Sequence, residues 1–277
     1  MLNKFKKEVR KIVLNFLPGN KPDFIIIGAQ KSGTTSLHYY LKQHPNLVGS
    51  SPKEIHYFDK WKWQGKNDNW YEMHFKSLNF AKEIYFETTP CYAYHHFVPK
   101  LLFDYKPTLK IIFVLREPID RAFSAWKMSK EWCEVGKLKG RMLGESNTIL
   151  SFRDCLDLEI ESIEKNIIVE TNIDEEPTFI RRGLYATQIE RYLKYFRQGQ
   201  MLILGFSDLI EKPFMTLNRI CEFLNVPHFD FSKIILNARN VRNDRSSIEY
   251  QDREFLSKIY KKENERLWDL LDCQVNW

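Results

Sequence analysis

Short apolar runs alternate with segments of helical period along this chain. Phe24-Ile25-Ile26-Ile27 is a continuous apolar run of the kind shown by a strand buried on both faces. Glycine follows at once, and the next stretch predicts a helix from Thr34 to about Gln43. Further strands are expected at Ile84-Tyr85-Phe86, at Lys110 to Leu115, which carries the strongest strand signal, and at Met201 to Leu204. Between them lie helical patterns. Tyr185, Ile189, Tyr192 and Phe196 share one helix face, and Pro213 to Leu224 and Glu254 to Leu271 read as surface helices. Such alternation predicts an α/β fold: a single domain with a central, mainly parallel sheet flanked by helices. Residues 134–178 are more polar and less regular, and are expected to be an insertion or lid. In residues 1–20, Leu2, Phe5, Val9, Ile12, Val13 and Phe16 recur at helical spacing among lysines and arginines, and Pro18-Gly19-Asn20 ends the pattern. The expected organisation is an N-terminal amphipathic helix followed by one domain over 21–277.

Composition narrows the class. The 277 residues are 43% hydrophobic and 28% charged, which supports a packed core and argues against disorder. The net charge of +6 suits an anionic ligand, but no dense basic stripe supports nucleic-acid binding. No run of about 18 apolar residues is present, so no transmembrane helix is expected. The N-terminal pattern lacks the continuous apolar stretch of a secretory signal. It suits a helix packed on the domain, with weak peripheral contact to an anionic membrane as the alternative. Cys91, Cys133, Cys155, Cys221 and Cys273 are far apart with no CxxC pair. They read as reduced and mostly buried, with no metal site, consistent with a cytoplasmic protein.

The chemistry starts after the first strand. Phe24 to Thr35 runs strand, glycine turn and helix start in order, which aims backbone N–H groups and a helix dipole at one spot. Gly28 and Gly33 allow close approach of an anion, Lys31 adds a full charge, and Ser32, Thr34 and Thr35 add hydroxyls. This is a P-loop-like phosphate-binding turn. The glycine spacing matches G-x-x-x-x-G-K-[ST], the nucleoside-triphosphatase pattern. Thr34, however, stands where that pattern has lysine, and Lys31 lies before the second glycine. The strand ending at Leu115 continues into Arg116 instead of an aspartate able to hold Mg²⁺. Both departures weigh against a kinase or ATPase.

Gly28-Ala29-Gln30-Lys31-Ser32-Gly33-Thr34-Thr35-Ser36 is similar to the 5′-phosphosulfate loop of the sulfotransferases that use 3′-phosphoadenosine 5′-phosphosulfate (PAPS). Val114 to Ser124, with Arg116 at a strand end and Ser124 eight residues on, resembles that family's 3′-phosphate element. Lys53-Glu54-Ile55-His56-Tyr57-Phe58 resembles the segment that carries the catalytic glutamate in heparan-sulfate-type members. Phe86-Glu87-Thr88-Thr89-Pro90, Arg182 to Tyr185 and the tail ending at Trp277 resemble the family more loosely.

The resemblance implies transfer of a sulfuryl group from PAPS to a hydroxyl or amine of a small-molecule or carbohydrate acceptor, with no metal. It implies that Lys31 stabilises charge on the bridging oxygen as the S–O bond breaks. Ser32, Gly33, Thr34 and Thr35 would hold the 5′-phosphate, and Arg116 and Ser124 the 3′-phosphate, with Tyr185 also at the nucleotide. Arg242 and Arg245, in the stretch Arg239 to Ser246, would reach the 3′-phosphate or be a solvated turn. Glu54 is the implied general base and His56 its rival. Heparan-type members commonly carry lysine where Thr88 stands; Thr88 and Thr89 are left as possible donors to acceptor or sulfate. A nucleotide kinase on the same loop and a non-catalytic nucleotide-binding relative are the alternative functions. Trp61, Trp63, Trp70, Tyr92, Tyr94 and Trp126 are read either as the lining of a sugar or aryl cleft or as packing.

Overall fold

The computed structural model describes residues 18–77, 83–137, 142–144, 148–165, 177–233, 235–236, 246–275 and 277. The apolar N-terminal pattern through residue 17, and Arg242 and Arg245, lie outside them.

Five described strands form one sheet: β1 (Phe24–Gly28), β2 (Leu47–Gly49), β3 (Ile84–Thr88), β4 (Lys110–Leu115) and β5 (Met201–Gly205). Their order is β2-β3-β1-β4-β5 and every pairing is parallel. The expected parallel sheet is therefore present. Because side chains alternate along a strand, the sheet feeds two apolar layers. Ile25, Ile27, Ile111, Phe113 and Leu115 enter one layer, with α3 (Val98–Tyr105) and α6 (Tyr185–Leu193) packed on it. Phe24, Ile26, Ile112, Val114 and Leu204 enter the other, covered by α1 (Thr34–Leu41), α7 (Phe206–Glu211) and α8 (Pro213–Leu224). A short helix, α2 (Asp68–Glu72), places Tyr71 in the first layer.

A third apolar cluster joins α4 (Pro118–Glu134), α5 (Phe152–Glu164) and α9 (Tyr250–Leu271). Here the structure departs from the sequence expectations. Part of the stretch expected to be irregular is α5, a helix opened by a full capping box between Ser151 and Asp154. Its acidic residues conceal the buried stripe of Phe152, Cys155 and Leu156. The last helix starts at Tyr250, and it is a structural element as much as a surface one, since Leu256, Tyr260 and Leu267 are buried. In α8, Leu217, Ile220 and Leu224 are likewise buried. Strand β2 has only three residues, too few for a periodicity signal.

Strand β1 lies between β3 and β4: the chain leaves β1 to build β2 and β3 on one side, then crosses over to build β4 and β5 on the other. The crevice at the carboxyl ends of β1 and β4 is the topological switch point, where open α/β sheets bind ligands.

Candidate active site

The turn from β1 into α1 opens at that crevice. Lys31 and Gly33 both have φ 73°, in the left-handed region. A Cβ at Gly33 would stand 2.9 Å from the Phe206 ring, so glycine is required there on two counts. Gly33 is also the N-cap of α1 and provides no side-chain cap to the first-turn N–H groups. Ser32 Oγ is buried with no hydrogen-bond partner. The Lys31 ammonium lies 3.8 Å from Met128 Sδ on α4.

At the end of β4, Arg116 leans back over the same turn. Its Nη1 donates to the Lys31 carbonyl at 3.1 Å, and its guanidinium sits 5.1 Å from the centre of the Phe206 ring. Burial pulls the Arg116 pKa down, and neighbouring Asp120 counters it; the guanidinium stays cationic. Pro118 starts α4 while the Glu117 side chain accepts from Asp120 N at 2.7 Å. This fixes the helix that carries Ser124.

One cleft of about 710 Å³ is lined by Lys31, Gly33, Thr34, Thr35, Arg116 and Ser124, and also by Glu54 and Cys91. Two sequence-separated basic groups and a carboxylate thus share one space. Ser32, His56 and Tyr185 do not line it. Tyr185 is fully buried against Phe113 and donates its hydroxyl to the Arg116 carbonyl at 2.9 Å.

Glu54 stands in a chain of polar contacts. Lys53 Nζ donates to its Oε1, and His56 Nε2 lies 3.5 Å from its Oε2. The other ring nitrogen of His56, Nδ1, is 2.8 Å from Asp59 Oδ2. Burial works to raise the Glu54 pKa, but the His56 hydrogen bond and the Lys53 charge and hydrogen bond prevail and hold it down at about 2. Burial works to lower that of His56, yet hydrogen bonds and charges from Asp59 and Glu54 push it up to about 10. At neutral pH the pair is carboxylate and imidazolium. An imidazolium with both nitrogens engaged has no lone pair for a proton, whereas the Glu54 carboxylate has.

Sequence reasoning assigned no role to Glu87, which organises this segment. Fully buried at the end of β3, its carboxyl accepts from Ile55 N at 3.2 Å, Thr89 Oγ1 at 2.5 Å, Tyr92 OH at 3.0 Å and Tyr71 OH at 2.5 Å. Tyr92 OH in turn accepts from Tyr57 N at 2.9 Å and Phe58 N at 3.3 Å. The loop bearing Glu54 is therefore hung from β3 by one carboxyl and one phenol. The available signal was a glutamate at the end of an otherwise apolar strand.

Thr88 and Thr89 do not face the cleft. Thr89 binds Glu87, and Thr88 Oγ1 lies 3.0 Å from His38 Nδ1 in the interior. His38 is neutral there, because burial, helped by Lys42 and Lys53, lowers its pKa to about 3. The aromatic group divides as well. Trp61 and Trp70 pack together 6.0 Å apart and Tyr92 is buried, whereas Trp63 is 64% exposed. None of the six lines the cleft.

A model of the family described as "Sulfotransferase domain" matches residues 21–267. Among curated proteins, "Membrane-associated sulfotransferase kil1" of Dictyostelium discoideum is 25% identical over 92% of this chain and 66% of its own length. Human "Heparan sulfate glucosamine 3-O-sulfotransferase 5" is 30% identical over 81% of this chain and 58% of its own. The chain therefore spans less than two thirds of the length of these relatives. Among solved structures, a sulfotransferase from Alicyclobacillus acidocaldarius superposes with a TM-score of 0.70 at 26% identity, covering 92% of this chain and 98% of that one. Since the family model covers most of the chain, the chain belongs to the sulfotransferase domain family.

Proposed function

We propose that this protein transfers the sulfuryl group of PAPS to a hydroxyl or amine of a carbohydrate or other small acceptor. The observation that carries this reading is the single cleft that joins Lys31 and the helix N-terminus to Arg116, Ser124 and Glu54. The residues fit a nucleotide with anionic groups at two places. The first turn of α1 lacks a side-chain cap, and two cations stand near the turn. The cleft volume lies in the usual range for such ligands.

PAPS, when bound, supplies the sulfuryl group and a phosphate leaving group. Lys31, Ser32, Gly33, Thr34 and Thr35 hold the phosphosulfate end, where Lys31 stabilises negative charge developing on the bridging oxygen. Arg116 and Ser124 grip the 3′-phosphate, and Tyr185 positions Arg116 through its carbonyl. Arg242 and Arg245 are assigned to the nucleotide on the resemblance alone. Glu54 accepts the acceptor's proton; to do so it exchanges a hydrogen bond from Lys53 or His56 for one from the acceptor. His56 orients it from the other side. A carbohydrate acceptor is supported by the relative named for glucosamine 3-O-sulfation.

Kinase chemistry is disfavoured by Arg116 at the end of β4 in place of a metal-binding acid. The described residues contain no helix long and apolar enough to cross a membrane. The five free cysteines support the cytoplasm. Peripheral membrane contact through the N-terminal segment is the alternative, in keeping with the printed name of the Dictyostelium relative.

Calorimetry with 3′-phosphoadenosine 5′-phosphate tests the site. Lys31→Ala and Arg116→Ala should each weaken binding about 10- to 100-fold, the worth of a charge-assisted hydrogen bond. Glu54→Gln should bind normally and fail to transfer label from PAPS. No binding by the intact protein refutes the reading, and full transfer by Glu54→Gln refutes the base.

A further inference from the structure

Three side chains of different chemistry converge beside Glu54 without being neighbours in sequence. His56 and Asp59 come from the loop after Lys53, and Cys91 from the turn that follows β3. One donor atom from each lies within 4.8 Å of the other two. The Asp59 side chain is 4% exposed, and its Oδ1 is buried with no partner although Oδ2 meets His56. Cys91 is 2% exposed yet contributes to the cleft wall. Imidazole nitrogen, carboxylate oxygen and thiol sulfur together form a donor set that suits borderline divalent metals, zinc foremost.

We propose that His56, Asp59 and Cys91 form a binding site for a zinc-class divalent cation, with its fourth position open to the cleft. The cation takes the place of protons. It enters where the His56 ring proton now faces Asp59, and it displaces the proton of the Cys91 thiol. Two protons leave for one cation, and no oxidation or reduction occurs. Bonds of about 2.0–2.3 Å to the three donors need the cluster to tighten modestly around the ion. Oδ1 of Asp59 is already available as a ligand. Burial pushes the Cys91 thiol up to about 12 and opposes the thiolate, a cost that metal binding must overcome; Arg182 beside the sulfur favours the thiolate but opposes the cation's charge, and affinity is set among these effects. With the metal on Nδ1, His56 keeps its Nε2 proton toward Glu54 Oε2.

The test uses full-length protein stripped with a chelator, then titrated with Zn²⁺ against a chromophoric competitor and separately with Co²⁺. The expected result is one tight equivalent and a sulfur-to-cobalt charge-transfer absorption. Cys91→Ser should lose that absorption. Cys91→Ser and Asp59→Asn should each bind Zn²⁺ at least about tenfold more weakly, as expected when one of three protein ligands is lost. Cys273→Ser, which removes an exposed thiol, should bind like the parent. Thermal melts check that each variant is folded; should Cys91→Ser fail to fold, the cobalt spectrum of the parent decides. Absence of the sulfur band, or unchanged Zn²⁺ affinity in both folded ligand variants, overturns the site.

Discussion

Glu87 is the carboxyl from which the Glu54 loop hangs, and its burial makes stability depend on pH in a calculable way. Burial raises its pKa, hydrogen bonds from Thr89, Tyr71 and Tyr92 oppose the rise, and the balance pushes it from 4.5 up to about 7. Below pH 4.5 both the folded and unfolded chains hold the proton and nothing is lost. Between there and about 7 the unfolded chain releases the proton while the folded one keeps it, so stability falls as pH rises. Above 7 the loss is complete. At 1.36 kcal/mol per unit, the difference between pH 5 and pH 8 comes to about 2.5 kcal/mol. Glu87→Gln keeps an acceptor toward Ile55 N and Tyr92 OH, offers Tyr71 a donor, and cannot titrate. Urea denaturation of parent and variant at the two pH values should show the variant gaining about 2.5 kcal/mol on the parent from pH 5 to pH 8. Two parallel stability-against-pH curves would refute the assignment of a raised pKa to Glu87. Glu87→Leu is the complementary perturbation. It strands the donors that converge on the carboxyl, at about 1–3 kcal/mol for each left unsatisfied, and should lower the melting temperature at every pH.

Tyr185→Phe removes the hydroxyl that holds the Arg116 carbonyl. It should weaken binding of 3′-phosphoadenosine 5′-phosphate several-fold, about 1 kcal/mol, and leave adenosine 5′-phosphate, which lacks the 3′-phosphate, unaffected by calorimetry. Equal losses for both nucleotides would place Tyr185 elsewhere in the mechanism. Gly33→Ala meets both the left-handed backbone, at about 1–2 kcal/mol, and the Phe206 ring 2.9 Å from the new Cβ. Nucleotide binding should fall more than about tenfold, and Phe206→Ala in the same chain should relieve only the steric part. Binding restored in full by the second change would show that the backbone conformation costs nothing.

Much of the site was legible before any coordinates. The phosphate turn announces itself because strand, glycines and helix start are contiguous, and Arg116 because a strong apolar run ends on it. The sheet was legible for the same reason: Ile25 to Ile27 and Ile111 to Leu115 are buried on both faces and need no alternation. What stayed hidden depends on contacts between distant segments. Nothing around Glu87 says that its carboxyl will meet Ile55 N and two tyrosines. Nothing around Thr88 says that it will face His38 and turn away from the cleft. Tyr185 looked like a nucleotide residue because it lies in a family-like stretch, and nothing around it says that its hydroxyl will meet the Arg116 carbonyl outside the cleft lining. Helix α5 was missed because acidic residues dominate its exposed face. Cys91 showed no metal spacing because its prospective partners are brought to it by the fold, not by the chain.

The all-parallel sheet has a consequence for how the molecule comes into being. A parallel pair cannot close through a tight hairpin, so every ladder waits for a distant segment. The central strand β1 is made early, but Phe24 pairs with Phe86 on one side and Lys110 on the other, and Ile111 in turn pairs with Met201. During synthesis an apolar strand of five buried residues must therefore be shielded until its neighbours emerge. The phosphate turn and Arg116 are neighbours only once β4 has docked, so nucleotide-binding capacity should arise late and all at once. Folding of this topology is slow for its size, and the nascent chain, more than the folded protein, is the state most exposed to aggregation.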